Sequence, residues 1–167
     1  KAAINVIKNF GRNFIIEDFY PWGSDERQFC SPGFNLPIGL IMRKRFDKFR
    51  EYHTSLDNKK FVSSKTLIET VNIYYQVLKT IENDFTPLAK VIYGTPQLSK
   101  SKIPLYRTKM NWKLKGMDKR TKSMLQILNL ADGKRNLLDI ANDKGFKLID
   151  HIDSIKDLLE SGYIRKV

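Results

Sequence analysis

The residues that could carry out chemistry are concentrated between Trp22 and Asn58. His53 lies in the string EYHTSLDN, and Asp25 lies in an earlier polar turn, GSDERQ. An imidazole can bind a metal ion or act as a general base, and a carboxylate can orient a metal ligand. This pair therefore defines the candidate site that the rest of the chain has to position.

The segments around these two residues have the patterns of an α/β sheet. Ala2 to Phe10 has helical spacing, and Phe14 to Phe19 is rich in β-branched and aromatic residues, which predicts a strand. Leu36 to Met42 is a nearly continuous apolar run and predicts a second, buried strand. Asp25 would precede this second strand and His53 would follow it. Loops at strand ends commonly carry the chemistry of α/β folds.

Two strings in this region resemble segments of a known class of enzymes. The run SDERQF at 24–29 is similar to the Ser-Asp-His-x-x-Phe segment of zinc-dependent aminopeptidases and glutaminyl cyclases. The run YHTSLDN at 52–58 is similar to their aromatic-His-Thr-x-x-Asp-Asn/Thr segment. The fuller sequence resembles a bacterial aminopeptidase-like family that often carries a C-terminal winged helix-turn-helix and is often named with polysaccharide biosynthesis.

The resemblance implies a zinc site and suggests roles for single residues. His53 matches the last zinc-binding histidine of such enzymes, and Asp25 matches an acidic residue in the hydrogen-bond network beside the metal. Glu26 stands where the relatives have histidine, so the chain offers no imidazole at that position. One or two zinc ions and a peptide or amino-acyl small-molecule substrate would belong to the complete protein.

The resemblance also implies a fold and a partner. The chain looks like the C-terminal part of an α/β/α sandwich of the zinc-exopeptidase type, followed by a small winged-helix domain. In such enzymes the other ligands and the general-base glutamate precede the two matching segments, so the expected partner is a missing N-terminal part of the same protein. Residues 1–108, with a linker at 86–108, would form the α/β part, and residues 109–167 would form the winged helix.

Other interpretations of the chemical residues stay open. Cys30 could act as a nucleophile with His53 as its base, although a small thiol beside Ser-Pro-Gly also suits a packed turn. Asp57 could support a metal ligand, or it could cap the turn together with Asn58. His151, which has acidic neighbours, is predicted to be a surface residue.

A long helix is predicted after the histidine loop. Ser63 or Ser64 is a credible N-cap, and the helix would end near Asn83. Phe46 and Phe49 are expected to anchor the loop itself. Apolar residues recur along one broad face of the helix, which is expected to pack on the sheet. These residues are Leu67, Ile68, Val71, Tyr74, Tyr75, Leu78 and Ile81.

The end of the chain has the pattern of a winged helix-turn-helix. Three helices are predicted, at 121–130, 136–142 and 150–160, with a turn at Ala131-Asp132-Gly133. A final strand is predicted at 163–167. The third helix is the element that would read DNA bases in this type of fold.

Charge is distributed unevenly along the chain. The net charge is +12, and the stretch from Pro96 to Arg120 holds eight bases and one acid. This stretch suits either a solvated linker or contact with an anionic partner such as nucleic acid or a phosphorylated sugar carrier. The third predicted helix has the opposite character, because four acids accompany Lys156 and would oppose DNA phosphates. These acids are Asp150, Asp153, Asp157 and Glu160.

Composition narrows the functional class. A chain of 167 residues with 41% hydrophobic residues can form one or two folded domains. No apolar run approaches the ~20 residues of a membrane helix. The sequence contains no Gly-rich phosphate loop near the predicted strands, which argues against a nucleotide-dependent enzyme. A single cysteine fits a reducing, cytoplasmic setting.

Three functions from different classes are therefore compatible with the sequence. The first is a zinc-dependent aminopeptidase-like hydrolase in which His53 completes a metal site begun upstream. The second is a non-catalytic binding protein of the same fold in polysaccharide biosynthesis. The third is a nucleic-acid-associated regulator that uses the winged helix and the basic stretch.

Overall fold

Three helices and a two-stranded antiparallel sheet form the C-terminal part of the chain. The computed structural model describes residues 1–10, 13–21, 23, 25–100 and 119–167. It divides into a unit formed by Asn13–Val71 and a unit formed by Lys1–Arg12 together with Asn72–Val167. The helices are α1 (Ala2–Lys8), α2 (Asp25–Phe29), α3 (Ser64–Glu82), α4 (Lys119–Leu130), α5 (Leu137–Lys144) and α6 (Ile152–Glu160). The strands are β1 (Pro87–Ala89) and β2 (Ile164–Lys166), and short 3-10 turns lie at Phe46–Lys48, Leu98–Lys100 and Leu148–His151.

The larger unit contains every buried apolar side chain of the described residues. α4 directs Met124 and Ile127 into this core, one helical turn apart, and α6 directs Ile155 and Leu158 into it with the same spacing. All four side chains are less than 5% exposed. The three predicted helices of the winged-helix region are thus confirmed, since each buries the face that its sequence pattern predicts.

The small sheet joins a segment before α4 to the end of the chain. β1 pairs antiparallel with β2, so that Leu88 lies opposite Arg165. The peptide N–H of Gly133 donates to the carbonyl of Pro87 at 3.0 Å, which ties the turn after α4 to the same strand. β1 lies in the segment 86–108, which is predicted to be a linker. The predicted domain boundary at 108/109 lies outside the described residues.

Local signals set the ends of α5. The Asn136 side chain accepts the N–H of Asp139 at 2.8 Å, which is the N-cap bond that this residue type commonly makes. Gly145 ends the helix with φ at 70°, in the left-handed region that glycine adopts without steric cost. Asp84, just after α3, accepts the N–H of Leu138 at 3.0 Å, and burial raises the pKa of this carboxyl group.

Two of the predicted strands are absent from the described residues. Phe14–Phe19 and Leu36–Met42 form no strand, and Ile15 is 86% exposed. Both predictions are wrong for this chain, because a strand needs a neighbouring ladder for its N–H and C=O groups. The second segment instead turns locally, with the N–H of Ile38 bonded to the carbonyl of Leu36 at 2.9 Å.

The long helix α3 forms where it is predicted, but its apolar face is not packed. The Ser63 hydroxyl accepts the N–H of Thr66 at 3.2 Å, so Ser63 is the N-cap. The seven apolar residues of the predicted face are 45–66% exposed, with Val71 at 66% and Leu78 at 64%. The expectation that this face packs on a sheet of the chain is therefore wrong for the described residues.

His151 is buried, and its prediction as a surface residue is wrong. Its exposure is 3%, and its ring meets Phe146 edge-on at a centroid distance of 5.0 Å. The acidic neighbours indicate an exposed helix, but α6 begins only at Ile152, and the preceding 3-10 turn directs His151 inward.

Hydropathy does not indicate a membrane span. Within the described residues, no helix combines the length and the apolar character needed to cross a bilayer.

Replacing Asn136 with alanine is expected to lower the free energy of unfolding by about 1 kcal/mol, because it removes the N-cap bond of α5. Urea denaturation of the chain monitored by circular dichroism would measure the change. Asn129→Ala, at an exposed position of α4, is the matched control and should change the stability by less than about 0.5 kcal/mol. Equal effects of the two substitutions would contradict the capping role.

Candidate functional site

His53 lies in a turn between the first 3-10 turn and α3, and its side chain is exposed. Its backbone has φ at 56°, in the left-handed region that costs a residue with a side chain roughly 1–2 kcal/mol. The imidazole stacks on the ring of Tyr52 at a centroid distance of 4.0 Å and an interplanar angle of 14°. The ring therefore has a defined direction although most of it faces solvent.

An aromatic cluster supports this turn. Tyr52 contacts Phe46 at 5.6 Å and Phe49 at 5.8 Å between ring centroids, and Phe49 stacks on Phe61 at 5.8 Å. Each such pair contributes about 0.5–1.5 kcal/mol beyond the area it buries. Phe46 and Phe49 thus contact the histidine loop as predicted. They pack against Tyr52, and the ring of Tyr52 stacks on that of His53.

Polar side chains close the same turn. The Thr54 hydroxyl donates to the carbonyl of Glu51 at 2.9 Å. The Asn58 side chain donates to the carbonyl of Ser55 at 3.2 Å and accepts the N–H of Lys60 at 3.0 Å. The Asx-type geometry of this turn thus comes from Asn58.

Asp25 and Glu26 have different surroundings although they are neighbours in α2. Asp25 is the first residue of the helix and is exposed, whereas Glu26 is only 4% exposed. Within the described residues, Oε2 of Glu26 has no hydrogen-bond partner. A Cβ atom at Gly23 would lie 1.5 Å from Oε1 of Glu26, so glycine is required for the carboxylate to occupy this place.

The burial of Glu26 is the feature of this region that its sequence pattern does not predict. The resemblance directs attention to Asp25, and it records Glu26 only as a replacement for histidine. The structure shields Glu26 from solvent and leaves Asp25 exposed. The glycine three residues before Glu26 is the signal that could have indicated the close approach.

The described residues do not by themselves make a hydrolytic zinc site. Such a site takes three protein ligands and leaves one position for water. Among the residues that the structure describes, no group of three or more His, Cys, Asp or Glu side chains could hold a metal ion. His53 can therefore supply one ligand at most, and its proximity to Asp25 stays a prediction.

Cys30 has a structural environment. Its thiol lies 3.1 Å from the carbonyl oxygen of Leu36 and 3.4 Å from that of Ile38, so it can donate to either. The N–H of Leu36 donates to the carbonyl of Phe29 at 2.9 Å. These bonds fold the segment after α2 back on itself, which agrees with a thiol in a packed turn.

Arginines fix the segments around the histidine loop. Arg43 donates to Glu69 at 2.7 Å, to the carbonyl of Thr66 at 3.0 Å and to the hydroxyl of Thr70 at 3.2 Å, which anchors its segment to α3. Arg45 makes a bidentate pair with Asp47, with both bonds at 2.5 Å. Hydrogen bonds from the Arg45 guanidinium lower the pKa of Asp47 to about 2.

Replacing Arg45 with methionine is expected to raise the pKa of Asp47 from about 2 toward its ordinary value of 3.8, because the bonds that stabilise the carboxylate are lost. The pair contributes stability above the ordinary pKa, and this contribution is lost as the pH falls through the lower pKa of the folded state. A carboxyl-carbon NMR titration would measure both values. In Arg50→Met, which removes an exposed arginine that pairs with Glu51, the pKa of Asp47 should not move.

Comparison with known proteins agrees with the organisation of the chain. Residues 1–84 match the family model of a domain of unknown function, DUF4910, and residues 86–166 match that of a winged helix-turn-helix. A Clostridium acetobutylicum protein named "Putative polysaccharide biosynthesis protein with aminopeptidase-like domain" is 40% identical over 147 residues, which are 88% of this chain and 33% of that protein. A crystal structure of a "putative peptidase" from the same organism matches 99% of this chain with a TM-score of 0.83 and 34% identity.

The chain is thus similar to aminopeptidase-like proteins, and it combines a mixed helix and sheet fold with a winged helix-turn-helix. Since its family model covers half of the sequence, the chain belongs to the DUF4910 family. The predicted α/β class and the winged-helix module are confirmed. The chain spans about a third of the length of the relatives it matches, namely 33% of the first and 35% of the second.

Proposed function

We propose that this chain is part of a zinc-dependent aminopeptidase-like hydrolase and that His53 supplies one ligand of its metal site. The likeness over 99% of the chain to a solved structure described as a peptidase carries this proposal. The substrate would be a peptide or an amino-acyl small molecule. The other ligands, the general base and one or two zinc ions would belong to the rest of the complete protein.

The surroundings of His53 support its part in this proposal. A metal ligand has to keep one ring nitrogen accessible while the ring itself is held in place. His53 meets both conditions, because its ring is exposed and stacks on Tyr52, which Phe46 and Phe49 hold. Asp25 is proposed as a carboxylate that supports the ligands. The described residues provide no further ligand set, so no reaction step is assigned to the chain alone.

In the complete protein, His53→Ala is expected to remove zinc or abolish aminopeptidase activity while the fold is retained, because the side chain is exposed. Zinc content would be measured by mass spectrometry and activity with an aminoacyl reporter. The matched control is His151→Ala at the other histidine of the chain, which is buried. This control should lower the thermal stability and leave the zinc content per folded molecule unchanged. A His53→Ala protein with normal zinc and normal activity would disprove the assignment.

The exposed apolar surface of the Asn13–Val71 unit supports the proposal that further polypeptide completes this fold. Within its described residues, only Glu26 is buried, so the unit has no apolar core of its own. The apolar face of α3 is exposed as well, with Val71 at 66% and Leu78 at 64%. A helix face that exposes so many apolar side chains marks a contact with other protein. We propose that the remaining length of the protein covers this surface, since the matching relatives are about three times as long.

This cover can be tested with two neighbouring substitutions on α3. In the complete protein, Val71→Asp should lower the stability by about 2 kcal/mol or more, because it would bury an unpaired charge. Asn72→Asp introduces the same charge at the next, also exposed position and should cost less than about 0.5 kcal/mol. Thermal denaturation would compare the two variants. If both melt like the unmodified protein, the face of Val71 is open to solvent and the proposed cover is wrong.

A non-catalytic binding protein in polysaccharide biosynthesis is the second candidate. The name of the Clostridium acetobutylicum relative favours it. The same aminoacyl reporter separates the two functions, because a zinc-loaded complete protein that fails to hydrolyse any amino-acyl substrate would favour binding without cleavage.

A further inference from the structure

The side chain of Asn5 links α1 to the helix-turn-helix. Its amide nitrogen donates to Oδ1 of Asn142 at 2.9 Å and to the carbonyl of Phe146 at 3.0 Å. Its amide oxygen accepts the N–H of Leu148 at 3.0 Å. Asn5 is 2% exposed, so these bonds are formed away from solvent.

Two partners of Asn5, Phe146 and Leu148, belong to the turn between the second and third helices of the winged helix, and the third, Asn142, lies in the last turn of α5. Phe146 and Leu148 follow the end of α5 at Lys144, where the backbone groups have no partner within the helix. Helix ends that are buried need such groups to be satisfied by other side chains or by water. The amide of Asn5 satisfies one carbonyl and one N–H of this turn at once.

Apolar and charged contacts surround these hydrogen bonds. Ala2 and Val6, on the same side of α1 as Asn5, are 7% and 0% exposed. Lys1 pairs with Asp139 of α5 at 2.8 Å, and Nζ of Lys147 lies 5.5 Å from the ring centroid of Phe10. α1 contacts both α5 and the 3-10 turn at Leu148–His151. The contact therefore has an apolar centre, a specific polar group and a charged rim.

We propose that the winged helix-turn-helix is a protein-docking module whose turn binds the asparagine-bearing helix α1. The partner is thus the DUF4910 part of the same polypeptide, because α1 lies within residues 1–84 and the turn lies within residues 86–166. In this role the turn recognises a side-chain amide instead of nucleic acid.

The charge of α6 agrees with this role. Asp153, Asp157 and Glu160 accompany Lys156 on this helix, and Asp157 bonds to Arg120 of α4. A helix that reads DNA gains affinity from lysine and arginine side chains that neutralise the phosphates. The net negative charge of α6 opposes such contact, while it does not affect the apolar and amide contacts that hold α1.

The test compares hydrogen exchange in the full chain and in the Asn5→Leu variant. The substitution should speed exchange of the Leu148 amide about tenfold or more and loosen residues 137–151, because it removes the buried bond to the N–H of Leu148 and the bond to the carbonyl of Phe146. Asn5→Asp is a milder variant that keeps the acceptor for Leu148 and should protect this amide better than leucine does. Asn9→Ala is the control at the end of α1, since Asn9 is exposed and its side chain donates only to the carbonyl of Asn5 among its described contacts.

A double substitution examines the shared bond. If Asn5 and Asn142 act through one contact, Asn142→Ala should lower the free energy of unfolding clearly less in the Asn5→Leu background than in the unmodified chain. Unchanged exchange at Leu148 in Asn5→Leu, or an equal change in Asn9→Ala, would overturn the proposed docking. A second outcome would also overturn it. This outcome is that the unmodified chain binds a fluorescent DNA duplex and that Lys156→Glu abolishes the binding. These readouts do not involve His53 or zinc, so this proposal and the proposed hydrolase can fail separately.

Discussion

Burial of apolar surface is divided very unevenly along this chain, and most of its structure depends on that division. The residues around Met124, Ile127 and Leu158 form the apolar core of the larger unit. The Asn13–Val71 unit has no counterpart among its described residues and relies on arginine–carboxylate pairs, short turns and stacked rings. Exposed ion pairs contribute little to stability compared with buried apolar groups. Apolar burial thus holds the winged-helix unit together, whereas local polar and aromatic contacts hold the turn that carries the candidate site.

The sequence predicted best where the determinants of structure are local. The ends of α5 follow from Asn136 and Gly145, and the helices α4 and α6 follow from the spacing of their apolar residues. Prediction failed for Phe14–Phe19 and Leu36–Met42, because β-propensity describes a residue on a paired surface and cannot supply the pairing strand. His151 shows the same limit, since its burial depends on Phe146 and on the 3-10 turn that precedes α6.

The candidate site was located by resemblance more than by pattern. A histidine in an exposed turn has no periodic signature, and only the string around His53 distinguished it from a structural residue. Its support by Phe46 and Phe49 could be predicted, because both lie close to it in sequence. The shielding of Glu26 could not, since it depends on the approach of the Gly23 backbone. The contact of Asn5 with Leu148 was also beyond sequence reasoning, because no local pattern connects residues 143 positions apart.

That separation affects how the chain is made as well as how it is held. During synthesis α1 leaves the ribosome before its docking site at the end of α5, because Leu148 follows Asn5 by 143 positions. β1 pairs in the same way with β2, a strand that is translated much later in the sequence. Contacts between residues so distant in sequence slow folding, because the intervening chain must lose entropy before they form. The winged helix therefore completes its fold only after β2 has been translated, and α1 has no partner on this module until α5 has emerged.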